Sequence, residues 1–243
     1  MRTISTLIIL LFLQTSFGQA LNSCASCKTQ LIKAADVKDL NADKIRLLKN
    51  EIYARNGYEF DNYRFQEYFD SKSWYKSIQD NKKVVLNDIE KKNIAFLKEA
   101  EKILEDQKKE MIVQLKNFKT LVNENKTDAL KATYNFIYEQ SENNYEQKLL
   151  KEVFSKINLD DIHYYKNKGT HKVNVDNGFV QIVYMIYIEN DEITISYNYM
   201  THSEIIEGFD VYTDYQSESE YSYNWQFKFS KNKLNYIRLA VAG

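Results

Sequence analysis

Hydrophobic positions recur at helical spacing through roughly the first two thirds of the chain and at strand spacing through the rest. Ile45, Leu48 and Ile52 fall at i, i+3 and i+7, a core stripe on one helix face. Asn41 before them suits an N-cap, with Leu40 and Ile45 at the two positions of a hydrophobic staple. Gly57 stands where a helix-ending residue can take the left-handed conformation. Phe65, Tyr68 and Phe69 share one face of a second short helix, and Trp74 and Tyr75 follow as bulky plugs for a small core. Asn87 with Glu90 predicts a third helix opened by a capping box, with Ile89, Phe96, Leu97, Ala100 and Leu104 turned inward. Neither proline nor glycine interrupts what comes next, so this helix is expected to continue through the charged stretch at 105–110 into Met111, Leu115, Phe118 and Val122. Ala129 to Tyr138 and Tyr145 to Ile157 supply two further helical patterns.

From Val173 the period changes to two. Ile193, Ile195, Tyr197 and Tyr199 alternate with polar residues, and so do Tyr221, Tyr223, Trp225, Phe227 and Phe229. Phe179 to Ile188 is apolar almost throughout, which predicts a strand covered on both faces. Asn190-Asp191 and Lys231-Asn232 supply hairpin turns. Helices followed by antiparallel strands make an α+β fold: a small helical domain over 37–105, then an α+β domain over 106–243 with its sheet from about 173.

Composition narrows the chemistry. The 243 residues include six glycines and no proline, and no glycine pair is close enough for a phosphate-cradling loop. Thirty-three basic against 34 acidic residues leave a net charge of −1, which argues against a nucleic-acid partner. His163, His171 and His202 form no H-E-x-x-H, and G-x-S-x-G is absent, so no catalytic residue, metal or cofactor is assigned. Charge is uneven, however. Glu204, Glu207, Asp210, Asp214, Glu218 and Glu220 crowd one segment that holds no lysine or arginine. That acidic patch reads as a solvated loop, a surface for a cation or basic partner, or a polymer cleft with tyrosine platforms.

Arg2 followed by an apolar run from Ile4 to Leu13 reads as a secretory signal peptide over 1–18, too short to span a bilayer. Segment 19–36 then carries Cys24 and Cys27, which suit a small disulfide in an oxidising compartment. Leu21-Asn22-Ser23-Cys24 has the outline of a lipobox, so a lipid anchor at Cys24 is the competing reading. Either route leads out of the cytoplasm, to the periplasm or beyond.

Arg46-Leu47-Leu48-Lys49-Asn50-Glu51-Ile52-Tyr53-Ala54-Arg55-Asn56-Gly57-Tyr58-Glu59-Phe60, with Glu67-Tyr68-Phe69 and Trp74-Tyr75-Lys76 after it, resembles the bacterial YARHG domain. The resemblance covers roughly 37–105 and implies an extracytoplasmic setting. Asn56 stands at the position of the family's histidine, which favours a backbone-capping role there over acid–base work. Asn50, Arg55, Asn56, Trp74 and Tyr75 are the candidate ligand-binding residues. The expected function is non-enzymatic binding of a cell-envelope protein or polymer; the alternative is a secreted hydrolase using carboxylates of 204–220.

Overall fold

The computed structural model describes residues 21–140, 142–201 and 219–243. It divides into two compact units, one of residues up to Leu40 with Lys44–Lys98, the other of Asn41–Asp43 with Glu99–Gly243.

The first unit is helical. It contains α1 (Ala34–Val37), the greater part of α2 (Ala42–Arg55), α3 (Tyr63–Asp70) and the opening turns of α4 (Asp88–Asn123). Gly57 ends α2 with φ of +80°, and a Cβ there would lie 2.6 Å from Ile78 Cγ2, so only glycine fits without strain. The Asn87–Glu90 capping box closes reciprocally: Glu90 N–H donates to Asn87 Oδ1 at 2.9 Å, and Asn87 N–H to Glu90 Oε2 at 2.8 Å. Phe69 is the centre of an aromatic core in which Phe60 stacks on it at 5.1 Å and Tyr75 approaches at 6.1 Å. The buried positions at the start of α4 are Glu90, Asn93, Ile94 and Leu97, so two polar side chains share the inward seam expected to be apolar.

The second unit holds the rest of α4, α5 (Thr127–Tyr134), α6 (Tyr145–Lys156) and a six-stranded sheet. Strands β1 (His163–Tyr165), β2 (Lys168–Asp176), β3 (Val180–Glu189), β4 (Glu192–Thr201), β5 (Glu220–Ser230) and β6 (Lys233–Ala242) pair antiparallel in chain order, a meander. The α+β layout of the sequence analysis is therefore present. The period-2 strands bury Ile193, Ile195 and Tyr197 of β4 and Tyr223, Trp225, Phe227 and Phe229 of β5. Beneath them lie Leu115, Phe118, Leu150, Val153 and Phe154 of α4 and α6. Lys231 and Asn232 both take positive φ, 52° and 57°, the pattern of a tight hairpin turn whose twist suits the strands.

Three expectations need correction. The sheet starts at His163, earlier than 173, because β1 is too short to show alternation and turns into β2 through Lys166 at φ 56°. Helix α5 stops at Tyr134, since Asn135 adopts a left-handed φ of 57°; Phe136 and Tyr138 then pack from non-helical chain. Strand β3 is buried on one face alone, through Tyr184, Ile186 and Ile188, while Phe179 lies before it and is exposed. The last strand is protected at its edge. Leu234 N–H donates to Gln114 Oε1 and Leu239 N–H to Glu139 Oε1, both at 2.8 Å, which occupies ladder donors that another chain would otherwise pair with.

Candidate functional site

The C-terminal turn of α2 places Glu51 and Arg55 at i and i+4, neighbours on one helix face. Arg55 Nε and Nη2 both donate to Glu51 Oε1, at 2.9 and 2.6 Å. The guanidinium then lies 4.1 Å from the centroid of the Trp74 ring. Glu51 is buried, so its carboxylate fixes the arginine plane and the arginine covers one face of the indole. Trp74 remains 38% exposed. It is therefore no plug: the loop after α3 sets it at the surface, against Phe69 at 6.1 Å and edge-on to Tyr75 at 6.4 Å. Tyr68, exposed on α3, packs edge-on to Phe69 at 5.0 Å and carries the Lys72 ammonium 4.3 Å from its ring centroid. Two exposed aromatic rings, each covered by a cation, thus border the same core residue.

The other sequence candidates separate from this pair. Tyr75 is buried, and its hydroxyl donates to Tyr58 O at 2.8 Å, so it is the plug that Trp74 is not. Asn56 donates through Nδ2 to Ile52 O and to Glu90 Oε1, both at 2.8 Å, which joins the end of α2 to the capping box of α4. A histidine could offer one N–H at a time toward each side; the amide supplies two donors from one nitrogen. Asn50 is half-buried and turned about 100° around α2 from Glu51.

Cys24 and Cys27 form a disulfide whose residues are both buried. The residue that holds this segment is a buried asparagine near the start of α4. Asn93 accepts from Ile32 N–H at 2.8 Å and donates to Cys27 O at 2.9 Å and Gln30 O at 2.8 Å. Only a primary amide supplies that combination at one position. Its tell was an asparagine on the inward side of an amphipathic helix.

In the acidic patch, Glu204, Glu207, Asp210, Asp214 and Glu218 lie outside the described residues. Glu220 opens β5 and is exposed. The carboxylates that do converge in the second unit bind aromatic donors. Glu146, fully buried at the first turn of α6, accepts from Trp225 Nε1 at 2.9 Å and from Gln140 N–H at 2.7 Å. Burial pushes its pKa up from the ordinary carboxylate value, against those hydrogen bonds. Glu139 accepts from Tyr236 at 2.6 Å, and Glu152 from Tyr184. Burial, with the carboxylates beside them, pushes the Tyr184 and Tyr236 hydroxyls up from the ordinary phenol value, so both are neutral donors at any physiological pH. A groove of about 520 Å³ lies beside α4, where Lys108 sits over the Tyr164 ring above Ile112 and Ile162. Among the described residues no three His, Cys, Asp or Glu side chains are placed to hold a metal ion. No helix there is long and apolar enough to cross a membrane.

Comparison with known proteins gives one match: residues 23–102 match the YARHG domain. The match takes in the disulfide segment as well as α2, α3 and the start of α4. YARHG domains are typically extracytoplasmic, and their molecular function is unknown. No curated protein and no solved structure matches the chain.

Proposed function

We propose that this chain is a non-enzymatic extracytoplasmic binding protein whose YARHG domain attaches to a cell-envelope component through the Arg55–Trp74 face. The observation that carries the reading is the exposed indole with a guanidinium stacked 4.1 Å above it and held there by a buried carboxylate. An arginine so fixed loses little rotamer freedom on binding, and a tryptophan offers a large apolar area with few torsions; both residue types dominate binding hot spots. The neighbouring Tyr68–Lys72 pair extends the same chemistry. A surface of aromatic rings and cations suits a partner that offers hydroxyls together with carboxylate or phosphate, as envelope polymers and many envelope proteins do. Tyr75 packs edge-on beside the indole, and Asn56 is engaged by Ile52 and Glu90, so neither makes first contact. The disulfide and the leader-like N-terminus fit the same compartment.

The test is retention of the purified full chain on an isolated envelope fraction. Wild type is expected to co-sediment, and Trp74→Ala and Arg55→Lys, which keeps a cation beside Glu51 but loses the planar guanidinium, to lose at least tenfold of that retention, with circular dichroism unchanged. Failure of wild type to co-sediment, or equal retention by both variants, overturns the reading.

A further inference from the structure

The helices of the second unit cover one face of the sheet, and strand alternation sends the intervening side chains to the other. Midway along the adjacent strands β4 and β5 those are Thr194, Ser196 and Asn198 of β4 and Ser222, Asn224 and Gln226 of β5. They pair directly in register: Thr194 with Gln226, Ser196 with Asn224, Asn198 with Ser222. All six are neutral, and all are short or amide-bearing. Asparagine is depleted in strands, and a merely solvated face is better served by threonine and long charged residues. Local rules broken in the middle of a well-formed strand are expected where function requires it.

Four of the six side chains are also held in place by hydrogen bonds. Ser196 Oγ donates to Asn224 Oδ1 at 2.8 Å, and Asn224 Nδ2 donates to Ser222 Oγ at 3.1 Å. Gln226 Oε1 accepts from Arg238 Nε at 2.9 Å at the β6 margin. Along the other margin, β3 sets Val183, Met185 and Tyr187 opposite Asn198, Ser196 and Thr194. These three are half-buried, and the Tyr187 hydroxyl is fixed on Glu189 at 2.7 Å. The face therefore consists of a patch of neutral amides and hydroxyls, two strands wide, with Ser196 buried at its centre, beside an apolar lane ending in an aromatic ring. Charge lies around this patch: Lys172 and Arg238 at its sides, Glu192 opposite Lys228 at one end with Glu189 beside them, and Glu220 at the other.

We propose that this face binds a neutral glycan chain. A sugar ring has an apolar face of C–H groups and an edge of hydroxyls, and each hydroxyl both donates and accepts. Amides and hydroxyls answer it with both functions, whereas lysine or glutamate answers with one. Strands about 4.8 Å apart set neighbouring polar groups at about the width of one ring. Short side chains, four of the six already hydrogen-bonded, lose little freedom when the ligand docks. A nucleic acid would require a field of cations that the face lacks. This site is separate from the Arg55–Trp74 face, and neither proposal depends on the other.

The experiment titrates the full chain with two soluble probes, the β-linked hexasaccharides of glucose and of N-acetylglucosamine, followed by amide chemical shifts and calorimetry. At least one is expected to bind, shifting amides of β3, β4 and β5. Asn198→Lys and Thr194→Lys are expected to weaken it at least tenfold with unchanged melting. Three outcomes overturn the proposal: neither sugar binds at millimolar concentration, the lysine variants bind as wild type, or the chain is a dimer that Asn198→Lys dissociates, which would assign the face to a second copy.

Discussion

The chain has two tryptophans, and they live under opposite conditions. Trp225 is wholly buried in mid-strand, with its indole N–H donated to the buried Glu146. Trp74 sits in a loop, 38% exposed, with an arginine as its lid. The surroundings explain the difference. A strand in a sheet with one covered face has only two directions for a side chain, and the large apolar partners at 223, 227 and 229 decide which one Trp225 takes. A loop has no such periodicity, so the bulk of Trp74 says nothing about its direction. One tryptophan is a structural member; the other is available.

Removing the buried ring should do the most damage. Trp225→Ala leaves a cavity under the sheet and an unpaired oxygen on Glu146, and a loss of about 3–5 kcal/mol is expected. Denaturant unfolding followed by far-UV circular dichroism measures it. Trp225→Phe retains most of the volume and isolates the lost N–H. A loss below about 1 kcal/mol in the alanine variant would mean that the sheet closes around the gap, contrary to the close packing of Phe118, Phe227 and Trp225.

The first unit relies more on amides. Asn93→Ala strips the partners from Ile32 N–H, Cys27 O and Gln30 O, and about 2–3 kcal/mol is expected to go with them. Hydrogen exchange at Ile32 should rise and the Cys24–Cys27 disulfide should reduce faster, while amides of the sheet keep their protection. Protection lost equally in both units would erase the distinction between them.

Glu146→Gln is a smaller change in the second unit, because one of two acceptors becomes a donor facing another donor; about 1–2 kcal/mol is expected. Its pH dependence carries the sign of the shift. Burial raises the folded pKa of Glu146. Its contribution to stability is thus complete below the unfolded value of about 4.3 and declines as pH rises through the higher folded value. Glutamine cannot ionise, so the deficit of the variant should be larger at pH 4 than at pH 8. A deficit that grows with pH would mean the ionised carboxylate is the form that holds Trp225.

Much of this was legible in the amino-acid order. The i, i+3, i+7 stripe of Ile45, Leu48 and Ile52, the Gly57 terminator and the alternation of β4 and β5 each rest on a local rule, and each appears in the fold. The errors share a cause as well. Strand β1 is three residues long and α5 ends on a non-glycine left-handed residue, so neither leaves a periodic trace. The Arg55–Trp74 face was half legible: both residues are candidates from the sequence, but nothing local to either says that they touch. Glu51, which fixes Arg55, looked like any charged helix residue. The role of Asn93 was not legible, because its partners lie some sixty residues away in sequence.

The smallest expected loss of stability belongs to Trp74→Ala, which decides whether the two tryptophans differ in kind. A half-exposed ring takes less apolar area out of water than a core residue, and the stacked guanidinium contributes about 0.5–1 kcal/mol at an exposed site. Arg55 keeps its Glu51 bonds without the ring, so no buried charge is stranded. The core around Phe69 keeps Phe60, Phe65 and Tyr75. The variant should therefore melt within about 1 kcal/mol of wild type, with α3 amides still protected and Trp225 fluorescence unaltered. Tyr75→Ala in the same unit, by contrast, opens the core and should cost about 3 kcal/mol or more. If Trp74→Ala unfolds α3 as Tyr75→Ala does, the indole is holding the unit together, and the reading of Arg55–Trp74 as a binding face loses its ground.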